Sequence, residues 1–146
     1  MITKIQKGDI ISYLKKFRLQ FPDDNSCIHF LASQKWKNGF VCPKCGNTNY
    51  CSGKAVASRR CTRCKKNESA TANTVFHHCK FSLRKAFEIV ILTCHSSAIS
   101  SYKVSEVLNL RHMTCYSFQK KVSLCLSGGD DSGLLKELIL EIDKRI

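Results

Sequence analysis

The longest aliphatic run in this chain is four residues, Ile89, Val90, Ile91 and Leu92. A helix that crosses a bilayer needs roughly 20 apolar residues, so nothing in the sequence reads as a membrane span. The stretch from Met1 to Phe21 also lacks a continuous apolar segment, which argues against a secretory signal and leaves the cytoplasm as the expected compartment. Acidic residues are scarce, 11 against 24 lysines and arginines. There are no repeats and no low-complexity tract, and an apolar share of 43% with 24% charged residues excludes a disordered chain. Length sets the last limit: 146 residues make one ordinary domain or two small ones, and a small one buries too little surface to fold without a staple.

Positive charge and cysteine are what the chain does have. The net charge is +13, and residues 35–121 hold all of the excess, with 16 basic against 3 acidic residues, while the two flanks stand at +2 and −2. Such a stretch attracts polyanions through counterion release, whatever their sequence.

Ten cysteines in a protein without an export signal point to metal binding and buried thiols, because the cytosol keeps chance disulfides reduced. Four of them form two CxxC pairs, Cys42 with Cys45 and Cys61 with Cys64, separated by 15 residues. Two such knuckles converge four sulfurs into a tetrahedral shell for Zn2+, and a closed shell leaves no position for water, so the expected metal is one structural zinc. Iron is the chemical competitor, since all-thiolate tetrahedral sites accept it too. Gly46 suits the tight turn after the first knuckle. Four thiolates on one dication leave the site net negative, and Lys44, Arg59, Arg60, Arg63, Lys65 and Lys66 offset it. Cys27, Cys94, Cys115 and Cys125 fall on apolar helix faces and read as core. Cys51, His77, His78 and Cys79 lie outside a shell that is already complete, and the two histidines suit a strand end or a phosphate contact.

The expected fold class is small α+β: short N-terminal helices, a four-cysteine zinc ribbon of β-hairpins, then a three-helix helix-turn-helix. Residues 1–35 form the N-terminal helical segment. There Asp9 can cap a helix carrying Ile10, Ile11, Leu14 and Phe17, and Asp23, Asp24 or Asn25 can cap a second one that ends before Trp36. Residues 36–79 form the ribbon, with Phe40–Val41 and Thr74 to Phe76 as β-prone pieces. Residues 80–127 carry the helix-turn-helix. Its first helix follows Ser82, a candidate cap, and shows helical spacing at Leu83, Ala86, Phe87, Val90, Ile91 and Cys94. Its second buries Val104, Val107 and Leu108 and stops at Asn109, a residue that tolerates left-handed geometry. The third buries Cys115, Phe118, Val122 and Cys125, and Ser127, Gly128 and Gly129 end it. Residues 128–146 make a C-terminal tail.

In a helix-turn-helix the last helix enters the major groove and its N-terminal side chains reach base edges. The candidate contacts here are Arg111, His112, Tyr116, Ser117, Lys120 and Lys121, with Met113 on the same outward face. Arg59, Arg60, Arg63, Lys65 and Lys66 on the ribbon, continued by Lys80, Arg84 and Lys85, are candidate phosphate contacts. A solvated three-helix bundle is the plain alternative.

Phe21, Pro22, Asp23, Cys27, Leu31, Trp36, Gly39, Phe40, Val41, Cys42, Pro43 and Cys45 together resemble the opening of zinc-ribbon insertion-sequence transposases, the bacterial relatives of Merlin elements. Ser69, Thr71, Ala72, Thr74, Val75, Phe76 and His77 resemble the strand that closes that family's ribbon, with Asn73 where its members usually have Gly. The likeness spans about residues 21–126. It implies DNA transposition as the family activity and a bacterial, nucleoid-associated setting. Family members continue into an RNase H-type nuclease domain, whose first carboxylate lies on a strand resembling Leu140, Glu141, Ile142 and Asp143. Two-metal strand transfer needs several carboxylates on paired Mg2+ ions, so Asp143 alone is expected to do no chemistry, no catalytic residue is assigned, and the chain is expected not to be an enzyme.

These readings converge on a zinc-dependent, double-stranded-DNA-binding module of transposase type lacking a complete nuclease domain. One part of a split active transposase, partnered by a catalytic subunit or by itself, and a zinc-ribbon adaptor for protein partners both stay open. No membrane partner is expected.

Overall fold

The computed structural model describes residues 7–96, 99–128 and 132–146. Among these there are six helices and one small antiparallel sheet. The helices are α1 (Lys7–Gln20), α2 (Asp24–Lys35), α3 (Leu83–His95), α4 (Ser101–Leu108), α5 (His112–Leu126) and α6 (Ser132–Arg145). The sheet lies between α2 and α3 in sequence, with β1 (Tyr50–Ser52), β2 (Arg59–Cys61) and β3 (Asn67–Glu68) in that order across it. Cys51 faces Arg60, and Arg60 faces Asn67. The class is therefore small α+β, as expected.

Apolar spacing builds the helices. Ile10, Leu14 and Phe17 give α1 a buried stripe, and α3 is buried nearly all round, from Ala86 to Leu92. Helix α5 buries Cys115, Phe118, Val122 and Cys125, the face expected. Asn109 closes α4 with φ +54°, in the left-handed region, and Asn109 to Arg111 form the short connection to α5. Gly129, an expected helix stop, lies outside the described residues.

Four local expectations are corrected. Asp9 lies inside α1, which already begins at Lys7, and not at the position before it. Asp23 does cap α2, accepting from the Ser26 N–H at 2.8 Å in a reciprocal capping box. Ser82 precedes α3 but makes no cap bond of its own. Its hydroxyl instead donates to Asp24 Oδ1 at 2.6 Å, and the same oxygen accepts the Arg84 N–H at 3.0 Å. The orphan donors at the start of α3 are thus met by a carboxylate from α2, which favours the positive end of the helix dipole as well. Phe40–Val41 and Thr74 to Phe76 are not strands. The second segment is a series of turns, because Val75 and Phe76 leave the sheet to fill the helical core.

The fourth correction concerns the C-terminus. Leu140, Glu141, Ile142 and Asp143 are not on a strand but in α6. Leu135, Leu138, Ile139 and Ile142 are buried at i, i+3, i+4 and i+7, a helical period, and α6 packs on α2 and α5. Asp143 has a structural setting there: it accepts a hydrogen bond from the Tyr13 hydroxyl and lies 3.1 Å from Nε2 of buried His95. It ties α6 to α1 and α3.

Phenylalanines connect the parts. Phe76 lies 4.8 Å from Phe87 of α3 and 6.2 Å from Phe118 of α5, ring centre to ring centre. Phe21 and Phe30 meet at 5.0 Å. Glu88, almost fully buried in α3, receives Arg18 at 2.6 Å and Arg84 at 3.4 Å, which compensates its charge.

Replacing Ile139 by Ala should cost about 2–5 kcal/mol, read as a lower urea midpoint of the zinc-loaded chain; an unchanged midpoint would mean α6 is not part of the core. Asp24 gives a pH-dependent counterpart. Burial alone would raise its carboxyl, but the bonds from Ser82 and the Arg84 backbone outweigh that and hold it below the ordinary value of 3.8. Its stabilisation is therefore complete above that pH and lost as pH falls through the depressed value. At neutral pH, Asp24→Asn should lower stability by about 0.5–1 kcal/mol, the low end of cap effects because the side chain is exposed. The gap to the unsubstituted chain should close in acid below pH 3.8, and a constant gap would show that the ionised carboxylate is not the cap.

Candidate functional site

The two CxxC pairs fold as near-copies of one turn. In the first, the Gly46 N–H donates to the Cys42 carbonyl at 2.9 Å and the Cys42 N–H to the Asn47 carbonyl at 2.8 Å. The second repeats both bonds, Lys65 to Cys61 at 3.1 Å and Cys61 to Lys66 at 2.9 Å. The residue after each second cysteine is left-handed, Gly46 at φ +75° and Lys65 at φ +66°. Glycine meets that need without a Cβ penalty, whereas Lys65 carries one.

The four sulfurs lie within 4.8 Å of one another, with Cys42 and Cys64 at 3.5 Å and Cys45 and Cys61 at 3.5 Å. A tetrahedron with Zn–S bonds of about 2.3 Å has sulfurs about 3.8 Å apart, so the donor set fits zinc. Among the described residues no other histidine, cysteine or carboxylate joins the group. Burial pushes the Cys61 thiol up, but the N–H groups of Cys64 and Arg63 and the Asn47 amide outweigh it and bring it to about 5. Within the 3.5 Å pair the thiolate is favoured at Cys61 alone: the Asn47 N–H lowers Cys45, but burial and the neighbouring sulfurs outweigh it and raise that thiol to about 11. Asn47, which also donates to the Asn49 carbonyl and to Thr62, was not foreseen as a supporting group. Its place two residues after Cys45 is the signal that could have marked it.

Around this centre Arg60, Arg63, Lys65 and Lys66 are exposed, as is Lys44. Arg59 is not free in the same way. Its guanidinium lies 4.6 Å from the Trp36 ring centre and 4.1 Å from that of Tyr50, and so stacks the ribbon on the end of α2. Next to it Lys35 pairs with buried Glu68 at 3.0 Å and donates to the Ser69 and Ala72 carbonyls. Arg84 is likewise engaged, by Glu88. Both can position the basic surface more readily than supply it.

Helix α5 presents two adjacent outward ridges. His112, Tyr116 and Lys120 form one at i, i+4 and i+8, and Met113, Ser117 and Lys121 the other. The second ridge faces the chain leaving the ribbon. Lys80, His77, Ser117 and Lys121 line a shallow cleft of about 420 Å³ between them, and Lys121 Nζ donates to the His77 carbonyl at 3.2 Å. Arg111, Ser117, Lys120 and Lys121 are exposed. Tyr102 on α4, not foreseen, stacks on His112 at the edge of the first ridge.

A four-sulfur site held by two matching knuckles on a three-stranded sheet defines a zinc ribbon with one structural Zn2+. Residues 22–67 match the model of the transposase zinc-ribbon domain, so this N-terminal region is similar to transposase zinc ribbons, and with the four-cysteine cluster it supports a zinc-binding, transposase-related module. Neither the curated proteins nor the solved structures contain a significant match to the chain. No helix among the described residues is long and apolar enough to cross a membrane.

The metal accounts for the ribbon's folding, since comparable structural sites bind with about 10–16 kcal/mol. Elemental analysis of the purified chain should return one zinc, and Cys61→Ser should carry substantially less and lose the ribbon's protection in amide exchange. Equal zinc in both would remove Cys61 from the shell.

Proposed function

We propose that this protein is a zinc-dependent, double-stranded-DNA-binding module of transposase type. In this reading α3, α4 and α5 form a helix-turn-helix with α5 in the major groove. One observation carries it: both outward ridges of the helix after the turn bear groups suited to nucleic acid, and one of them faces the ribbon exit across a cleft with Lys80 on one side and Lys121 on the other. The three-residue connection with left-handed Asn109 is the kind of turn that sets a reading helix. Phosphate in the cleft between Lys80 and Lys121 would fix the register, leaving His112, Tyr116 and Ser117 to meet bases. Exposed Arg60, Arg63, Lys65 and Lys66 add sequence-independent affinity.

The module holds DNA and does not cut it. Asp143, the residue that resembles a first catalytic carboxylate, is on a helix and engaged by Tyr13 and His95, where paired Mg2+ ions would need several converging carboxylates. The partner we propose is a catalytic transposase chain, on the strength of the ribbon's likeness to a transposase domain.

Fluorescence anisotropy across a salt series tests the binding. Log affinity for random-sequence duplex should fall steeply with log salt, and Lys80→Ala and Lys121→Ala should each reduce that slope by roughly 1. Binding absent at low salt with zinc loaded would end the proposal, and capture of a protein that survives nuclease would favour the adaptor. Incubation with Mg2+ should leave labelled duplex intact; cleavage by the purified chain would overturn the non-catalytic reading.

A further inference from the structure

Tyr102 is 71% exposed although it is a large aromatic residue, and its ring lies flat on His112, 3.8 Å between centres with planes 12° apart. The stack is held in place from below. His112 Nε2 is 2.6 Å from the Ser101 hydroxyl, and the Ser100 side chain caps the start of α4 by accepting the Lys103 N–H. Tyr116, 49% exposed, continues the column one turn along α5, its ring 6.4 Å from His112. These rings add nothing to the core, whose α4 members are Val104 and Leu108.

Bases within a duplex are stacked on one another and show a protein only their edges. A flat ring offered to solvent meets the face of a base only when that base is unpaired, and such stacking tolerates any sequence because every base has a π-face. The position suits this use. The ridge of His112 and Tyr116 runs beside the ridge of Ser117 and Lys121 on the same helix, so a strand with phosphate at the Lys80–Lys121 cleft would lie next to the aromatic column. Arg111 precedes His112 and Lys120 follows Tyr116 by one turn, both exposed, and supply the opposite charge for that strand.

We propose that Tyr102, stacked on His112, is a platform for an unpaired base, so that the chain binds DNA carrying an unpaired nucleotide in preference to continuous duplex. This rests on the DNA-binding reading above. The step is binding alone, with no bond made or broken.

The test uses the full zinc-loaded chain and two fluorescent probes, a continuous duplex and the same duplex with one unpaired 2-aminopurine. The unsubstituted chain should bind the second probe more tightly and quench its 2-aminopurine. Tyr102→Ala should weaken that binding roughly tenfold and abolish the quenching while leaving affinity for the continuous duplex unchanged; Tyr102→Phe should keep both. Unchanged duplex binding shows that the exposed substitution has not disturbed the fold. Equal binding of the two probes by the unsubstituted chain, or equal loss on both in Tyr102→Ala, would overturn the platform and leave duplex binding standing. Failure to bind either probe would overturn both readings.

Discussion

Four thiolates on one zinc ion are the constraint on which this structure depends. The sheet has eight residues in three strands, too few to bury a core of its own. Ala70, Cys42 and Cys61 are buried, but the strand residues Tyr50, Cys51, Ser52 and Arg60 are exposed. The metal draws together two turns that are distant in sequence, and the paired backbone bonds of each turn aim the sulfurs. The cationic residues on the second knuckle are displayed as a group only while that closure holds.

The ribbon is fastened to the helices at two places, by different physics. At its entrance, Trp36, Phe40, Tyr50 and Arg59 form an aromatic and cation stack, with the Lys35–Glu68 pair beneath it. At its exit, Phe76 enters the core between α3 and α5. The first contact joins buried Trp36 and Phe40 to a cation and to Tyr50, which is partly open to water; the second is apolar and closed. Together they convert two small units into a single packed body with one continuous hydrophobic cluster.

Much of this was legible because the signals were local. Two CxxC pairs identify their own ligands, and the spacing of Cys115, Phe118, Val122 and Cys125 gives the buried face of α5 directly. Asn109 marked its turn through its tolerance of positive φ. What escaped depended on partners far along the chain. Thr74, Val75 and Phe76 are β-prone by type, yet the helical core claimed them. Leu135, Leu138, Ile139 and Ile142 had a helical period, but a family resemblance read their neighbourhood as a strand. Arg59 looked like a free cation because Trp36 and Tyr50 are invisible at its position, and Tyr102 drew no notice because it lies off the apolar face of α4. The capping of α3 by Asp24, 59 residues before Leu83, has no local signature.

The wedge of Phe76 between Phe87 and Phe118 has a geometric result. A ribbon on a slack tether could turn freely against α5, whereas one locked to it must keep a constant offset and rotation. Under the proposed DNA binding, the ruler would then belong to the protein. Lengthening the stretch between two such footprints by one base pair would turn the far one by about a tenth of a revolution, and with no swivel at Phe76 the mismatch would have to be absorbed by twisting the ligand.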